Sequence, residues 1–163
     1  MSEAGLRPRR LTQPDEAACR ALRDLLSEAF AGMEGRIDPP SSLHRLTLQD
    51  IAAQAAGGGV LVVGDSDHAP QACLFLTPKT DCLYVGKLAV ASTARGKGYA
   101  AALLAEAARE AARLGLPGLR LQTRVELTEN HSFFAHLGFT RTCATAHPGY
   151  TRATSYTYER AVS

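Results

Sequence analysis

The chain has 163 residues, 45% of them hydrophobic and 21% charged, with a net charge of +2. That length and apolar content fit one domain spanning residues 1–163, and a near balance of charge with no sustained basic run argues against a nucleic-acid partner. Met1 to Arg10 lack the apolar stretch of a signal peptide and the aliphatic runs are only strand-sized, so no membrane partner and a cytoplasmic location are expected.

In chain order, Leu6 to Leu11 reads as a first strand. Thr12-Gln-Pro-Asp15 then opens a helix to about Phe30, with apolar Ala18, Leu22, Leu25, Leu26 and Phe30 at helical spacing. Pro39-Pro40 keeps the following segment out of a helix. A further helix begins at Ser41 or Ser42, restarts at Thr47 and ends in Gly57-Gly58-Gly59. Val60–Gly64 and Ala72–Thr77 read as strands joined by a turn, and Cys82–Val90 as the next strand. An alanine-rich helix from about Gly98 to Leu114 has Gly115 beyond it as a C-cap. Leu119–Val125 is a strand, Glu129–Leu137 a short helix, and Thr140–Thr145 and Ser155–Arg160 are two closing strands. This order fits a central sheet flanked by helices. Cys19, Cys73, Cys82 and Cys143 are scattered with no C-x-x-C pair and no neighbouring histidine cluster, which favours reduced core thiols over disulfides or zinc.

The most informative stretch is Leu83–Val90 followed by Arg95-Gly-Lys-Gly-Tyr-Ala100. A strand runs into a loop with two glycines and two cations that opens straight into a helix, so unpaired amides and the positive end of the helix dipole converge on one spot. Glycine lets the chain turn its amides inward and an anion approach the backbone, while Arg95 and Lys97 add charge at the rim. Such a spot suits a phosphate; a solvated strand-to-helix turn is the plain alternative. No segment supplies Gly-x4-Gly-Lys-Ser/Thr, and a dinucleotide fingerprint forced onto Gly96, Gly98 and Ala101 lacks both a tight turn after the strand and an acid ending the next strand.

Arg95-x-x-Gly98-x-Ala100 resembles the Q/R-x-x-G-x-G/A pyrophosphate loop of the GCN5-related N-acetyltransferases (GNAT), preceded by Leu88-Ala89-Val90 as the end of the family's strand. Downstream, Asn130-His-Ser-Phe133-Phe134-Ala-His-Leu137-Gly138-Phe139 is similar to the family's asparagine and YxxLGF segment. The two matches stand in the family's order. The resemblance implies an α/β (α+β) GNAT-like fold: a mixed sheet of about seven strands, splayed at its centre, flanked by about four helices. It also implies acetyl-CoA as cosubstrate, no metal, and a primary amine of a small molecule or peptide as acceptor, attacked directly in a ternary complex; a homodimer is compatible with it. By that likeness the backbone of Leu88, Ala89 and Val90 holds the pantetheine arm, residues Arg95, Gly96, Lys97, Gly98, Tyr99 and Ala100 hold the diphosphate, and Asn130, Phe133 and Phe134 border the arm. A non-catalytic acyl-CoA-binding module on the same scaffold is the alternative.

One departure matters. Phe134 stands where the family often has a tyrosine that protonates the leaving thiolate, and phenylalanine has no proton to give. Tyr150 or Tyr156 is the substitute in the sequence, or water, since thiol pKa values lie only modestly above neutrality. The attacking amine must shed a proton, and Glu126, just past the strand lining the gap, is the first candidate base, followed by His131. The loops expected around the acceptor carry Arg36, His44, His147 and Arg152 beside Glu34 and Asp38, with Arg124 near. Arginines there suit an acceptor bearing an anionic group as well as the amine.

Overall fold

A computed structural model describes residues 7–33 and 35–162; Leu6 and Glu34 lie outside them, as does the side chain of His44. The elements are β1 (Arg9–Arg10), α1 (Glu16–Phe30), α2 (Leu48–Ala56), β2 (Val60–Val63), β3 (Ala72–Pro78), β4 (Leu83–Val90), α3 (Tyr99–Arg113), β5 (Gly118–Arg124), α4 (Thr128–His136), β6 (Thr140–Thr145) and β7 (Ser155–Ala161). Among the described residues the strands form one seven-stranded sheet in the order β1-β2-β3-β4-β5-β7-β6, antiparallel except for the β4·β5 pair.

The helix starts follow from side chains that satisfy first-turn amides. Asp15 accepts from the Ala18 amide at 2.8 Å, and Thr47 with Asp50 forms a reciprocal capping box on α2. Ser41 accepts from the Leu43 amide at 3.1 Å and starts a single 3-10 turn, Ser42–Arg45, ahead of that box. The expected helix beginning at Ser41 is therefore two elements. The ends are equally local: Gly115 and Gly138 take φ of +74° and +91°, and the amides after them reach back to Ala111 and Phe134. In α4 this turn folds Phe139 onto Phe134, their rings 5.8 Å apart, which explains the Leu137-Gly138-Phe139 sequence physically.

Alternation along the strands divides the core between two faces. Leu61, Val63, Leu74, Leu83 and Val85 pack with Leu103, Leu104, Ala107 and Ala111 of α3; Val60, Val62, Cys73 and Phe75 pack with Leu22, Leu26 and Ile51. Within this core β4 changes sides. Leu83 and Val85 face α3, yet Ala89, of the same parity, lies in the α1/α2 core. The pairing with β3 accounts for this: Phe75 opposes Gly86 while Cys73 opposes Ala89, so Leu74 faces two residues of β4. Lys87, with φ +52°, is in that bulge. One extra residue reverses the faces of everything after it and bends the strand.

Replacing Gly138 by alanine should lower the unfolding free energy by about 1–2 kcal/mol, the cost of a left-handed non-glycine residue. Urea denaturation of the variant measures it; unchanged stability would contradict the role given to this turn.

Candidate functional site

β4 and β5 pair only from Leu83↔Leu119 to Val85↔Leu121, although β4 continues to Val90 and β5 to Arg124. Past Val85 the two strands part. Ala91 donates to the Gln71 carbonyl at 2.8 Å, and Ala89 opposes Cys73, so strand alternation turns the main-chain groups of Leu88 and Val90 away from β3 and into the gap.

Beyond Val90 a short 3-10 turn, Ser92–Ala94, is anchored by Glu28, whose carboxylate accepts the Ser92 amide at 3.1 Å and is held below its ordinary pKa by Ser92, through its side chain and then its amide. The chain then passes Arg95 and two glycines at φ +81° into α3. Gly98 occupies the N-cap in the left-handed region, no side chain caps the helix, and a Cβ at Gly96 or Gly98 would stand in open space. Among the described residues, none of the amides from Arg95 to Ala101 donates a hydrogen bond of ordinary geometry. These are the orphan donors of a helix start gathered beside two exposed cations, a donor set fitted to a diphosphate.

The gap opens into a cleft of about 490 Å³, continuous through Leu88, Ala89, Val90, Leu127 and Asn130 with a second hollow of about 340 Å³ that reaches Arg95. Leu88, Ala89, Val90, Ala100, Asn130, Phe133 and Phe134 all line it, as do Arg124 and His147. Asn130 is inside the first turn of α4, not at its cap, which is Leu127; its Nδ2 donates to Thr123 Oγ1 on β5 at 3.1 Å. Tyr99 turns its side chain into the core, leaving its amide for the loop. Thr123 and the bulge at Lys87 went unnoticed in the sequence, where only the Gly86-Lys87 pair inside an apolar strand signals an irregularity.

A sequence model described as the acetyltransferase (GNAT) family matches residues 19–139, most of the chain. The chain belongs to this GNAT acetyltransferase family. No curated protein is similar enough in sequence to count as a match. Similar folds include a GNAT-family acetyltransferase from Listeria monocytogenes at 15% identity, TM-score 0.70, covering 94% of this chain and 93% of that one. The PaiA N-acetyltransferase from Thermoplasma acidophilum in complex with coenzyme A aligns at 15% identity, TM-score 0.68, over 94% and 97% of the two chains. A NatC complex bound to Gag peptide and CoA aligns at 18% identity and TM-score 0.68, over 94% and 96%.

In this GNAT domain the expected proton-transfer groups are placed unevenly. Glu126 does not line the cleft; it lies 3.7 Å from Arg152, and its Oε1 is buried with no hydrogen-bond partner. His131 projects from α4 onto β7, edge-on to Tyr156 and stacked on Tyr158, its Nε2 3.1 Å from the Arg124 carbonyl. A carbonyl only accepts, so Nε2 carries the proton and is occupied. Tyr150 donates to Asp38, which pushes its pKa up, and it too is outside the cleft lining; Tyr156 packs under the Arg141 guanidinium.

The arginines are partnered. Arg36 forms a bidentate pair with Glu129 at 2.7 and 2.8 Å, tying the segment after α1 to the start of α4 across the smaller hollow. Arg152 reaches Asp38 at 3.3 Å. Arg124 donates to the Pro39 carbonyl at 2.6 Å and the Pro40 carbonyl at 3.3 Å, so it straps the α1–α2 connection over the cleft through neutral acceptors. Burial lowers its pKa, with Glu126, Tyr150 and Asp38 opposing.

The Arg36 guanidinium holds the Glu129 carboxyl at about 2, below its ordinary 4.5. A depressed carboxylate pKa means the clasp is complete above the unfolded-state value and is lost as pH falls from there through about 2. On so exposed a pair solvent screens the stabilisation, so the readout is the titration. In R36A, carbon-detected NMR should find Glu129 titrating near 4.5; a value still near 2 would show that the clasp is not its cause.

Proposed function

We propose that the protein is an N-acetyltransferase that transfers the acetyl group of acetyl-CoA to a primary amine of a small molecule or peptide, with both substrates bound together. The observation that carries this is a single path: the edge of β4 at Leu88 and Val90, which β5 does not pair, leads to the undonated amides of residues 95–101. A pantetheine arm lying in the gap would pair with Leu88 and Val90, and its diphosphate would take the loop amides with Arg95 and Lys97 at the rim. Main-chain donors aimed at the thioester oxygen contribute to acyl transfer on the scale of about 2.7–4 kcal/mol each. Fold neighbours solved with coenzyme A support this cosubstrate, and the one solved with a peptide beside it supports a peptide among the acceptors.

The acceptor would enter from the end lined by Met33, Ser41, Ser42, Leu43, Gln122, Arg124 and His147. Arg124 contacts carbonyls there rather than a carboxylate, so its charge is available to an anionic group on the acceptor, narrowing the role expected of several arginines to this one.

Calorimetry should detect acetyl-CoA binding, and Gly98→Val, which forces a β-branched residue into φ +81°, should weaken it at least ten-fold. No binding by the wild type would overturn the assignment; binding without thiol release on a broad amine panel would favour a non-catalytic module. With a turned-over acceptor, R124A should raise the acceptor KM at least ten-fold and leave acetyl-CoA affinity unchanged. An unchanged KM would exclude an anionic acceptor.

A further inference from the structure

We infer that His147, oriented by Thr154, is the base that takes the proton from the attacking amine; this rests on the acetyltransferase reading above. Of the histidines and carboxylates proposed as bases, Glu126 and His131 stand outside the cleft lining, whereas His147 lines it beside Arg124 and Ser155. The ring is held from behind. Its Nδ1 meets Thr154 Oγ1, and its main-chain amide donates to the same oxygen at 2.9 Å.

Thr154 is fully buried and fixed on three sides: its amide donates to the Thr145 carbonyl at 2.8 Å, its carbonyl accepts from Val125 at 3.0 Å, and its hydroxyl donates to the Thr145 carbonyl at 3.4 Å. With its one proton given to Thr145 and one lone pair taken by the His147 amide, the hydroxyl has a lone pair left for Nδ1–H. That donor count assigns the tautomer, and it leaves an unprotonated Nε2 for the cleft.

The charged surroundings agree. Burial and the Arg124 guanidinium from β5 hold the imidazole below its ordinary 6.5, opposed by Glu126 from the β5–α4 loop; on its own loop are Tyr150 and Arg152, both engaged by Asp38 from the α1–α2 connection. The imidazole is therefore neutral near pH 7.

The proton balance closes without a tyrosine. The amine nitrogen forms a bond to the acetyl carbon as the carbonyl π pair moves to oxygen, and its N–H proton passes to Nε2. As the oxyanion's electron pair re-forms the C=O bond, the C–S bond breaks, its electron pair leaves on sulfur, and the imidazolium proton passes to that sulfur to give the free thiol. Phe134 then has only to pack, as its buried contacts with Phe139 and Tyr158 indicate.

The test uses the full chain, acetyl-CoA and the panel amine on which the wild type releases most thiol. H147Q and H147A should lower kcat about 10²-fold or more, leave the acetyl-CoA dissociation constant unchanged, and abolish the acidic limb of kcat/KM, which in the wild type rises with pH through a pKa below 6.5. Added imidazole should restore H147A, and T154V should shift or weaken the limb while T154S keeps it. Variants within about two-fold of wild-type kcat, or a loss confined to KM and not restored by imidazole, would overturn the assignment. A wild type that binds acetyl-CoA yet releases no thiol, or does not bind it, overturns the acetyltransferase reading itself and this inference with it.

Discussion

The whole site depends on β4 letting go of β5. Three paired positions hold the strands together at Leu83–Val85, deep in the apolar core against α3, and the bulge at Lys87 then turns β4 while keeping it tied to β3 through Ala89 and Ala91. A strand that is paired on one side and open on the other exposes donors and acceptors inside a protein, a costly condition unless something fills the gap. Here the exposed edge points into a cleft that ends in more undonated amides. Two stretches of main chain, Leu88 with Val90 in the gap and residues 95–101 at the loop, thus face the cleft in line with an extended ligand, joined by a 3-10 turn whose own amides are engaged.

Around that run the side chains act mostly as supports. Asn130 grips Thr123 and holds α4 to β5 across the cleft; Arg124 holds the proline pair; Arg36 and Glu129 close the smaller hollow. On the opposite wall the buried Thr154 joins the ends of β5 and β6 and holds His147, the base inferred above. Rigid strand ends place the imidazole, and the segments around residues 33–43 shape the way in for an acceptor.

Elements whose boundaries depend on local chemistry were legible from the sequence. The helix restart at Thr47 and the cap at Gly115 announce themselves, and the strands follow from runs of apolar residues, whereas α1 begins at Glu16 behind an Asp15 cap, one turn later than Thr12 suggests. The loop of residues 95–101 was legible for the same reason, since its glycines and the helix start are contiguous. The surroundings of the candidate proton-transfer residues were not. Glu126 and His131 are close in sequence to β5, but the turn between β5 and α4 carries one toward Arg152 and folds the other onto a strand carbonyl. His147 acquires its meaning only through Thr154, seven residues on, across a loop whose path no local pattern fixes. The bulge at Lys87 was nearly hidden, because Gly86-Lys87 inside an apolar strand hints at an irregularity without fixing its position or the φ of +52°.

The most direct measurement is residue-resolved amide hydrogen exchange with and without acetyl-CoA. Slowed exchange at Leu88, Val90 and the amides of residues 96–101, with β1 and β2 unaffected, is the result this account predicts. Protection absent from those amides, or appearing elsewhere while they continue to exchange freely, would contradict it.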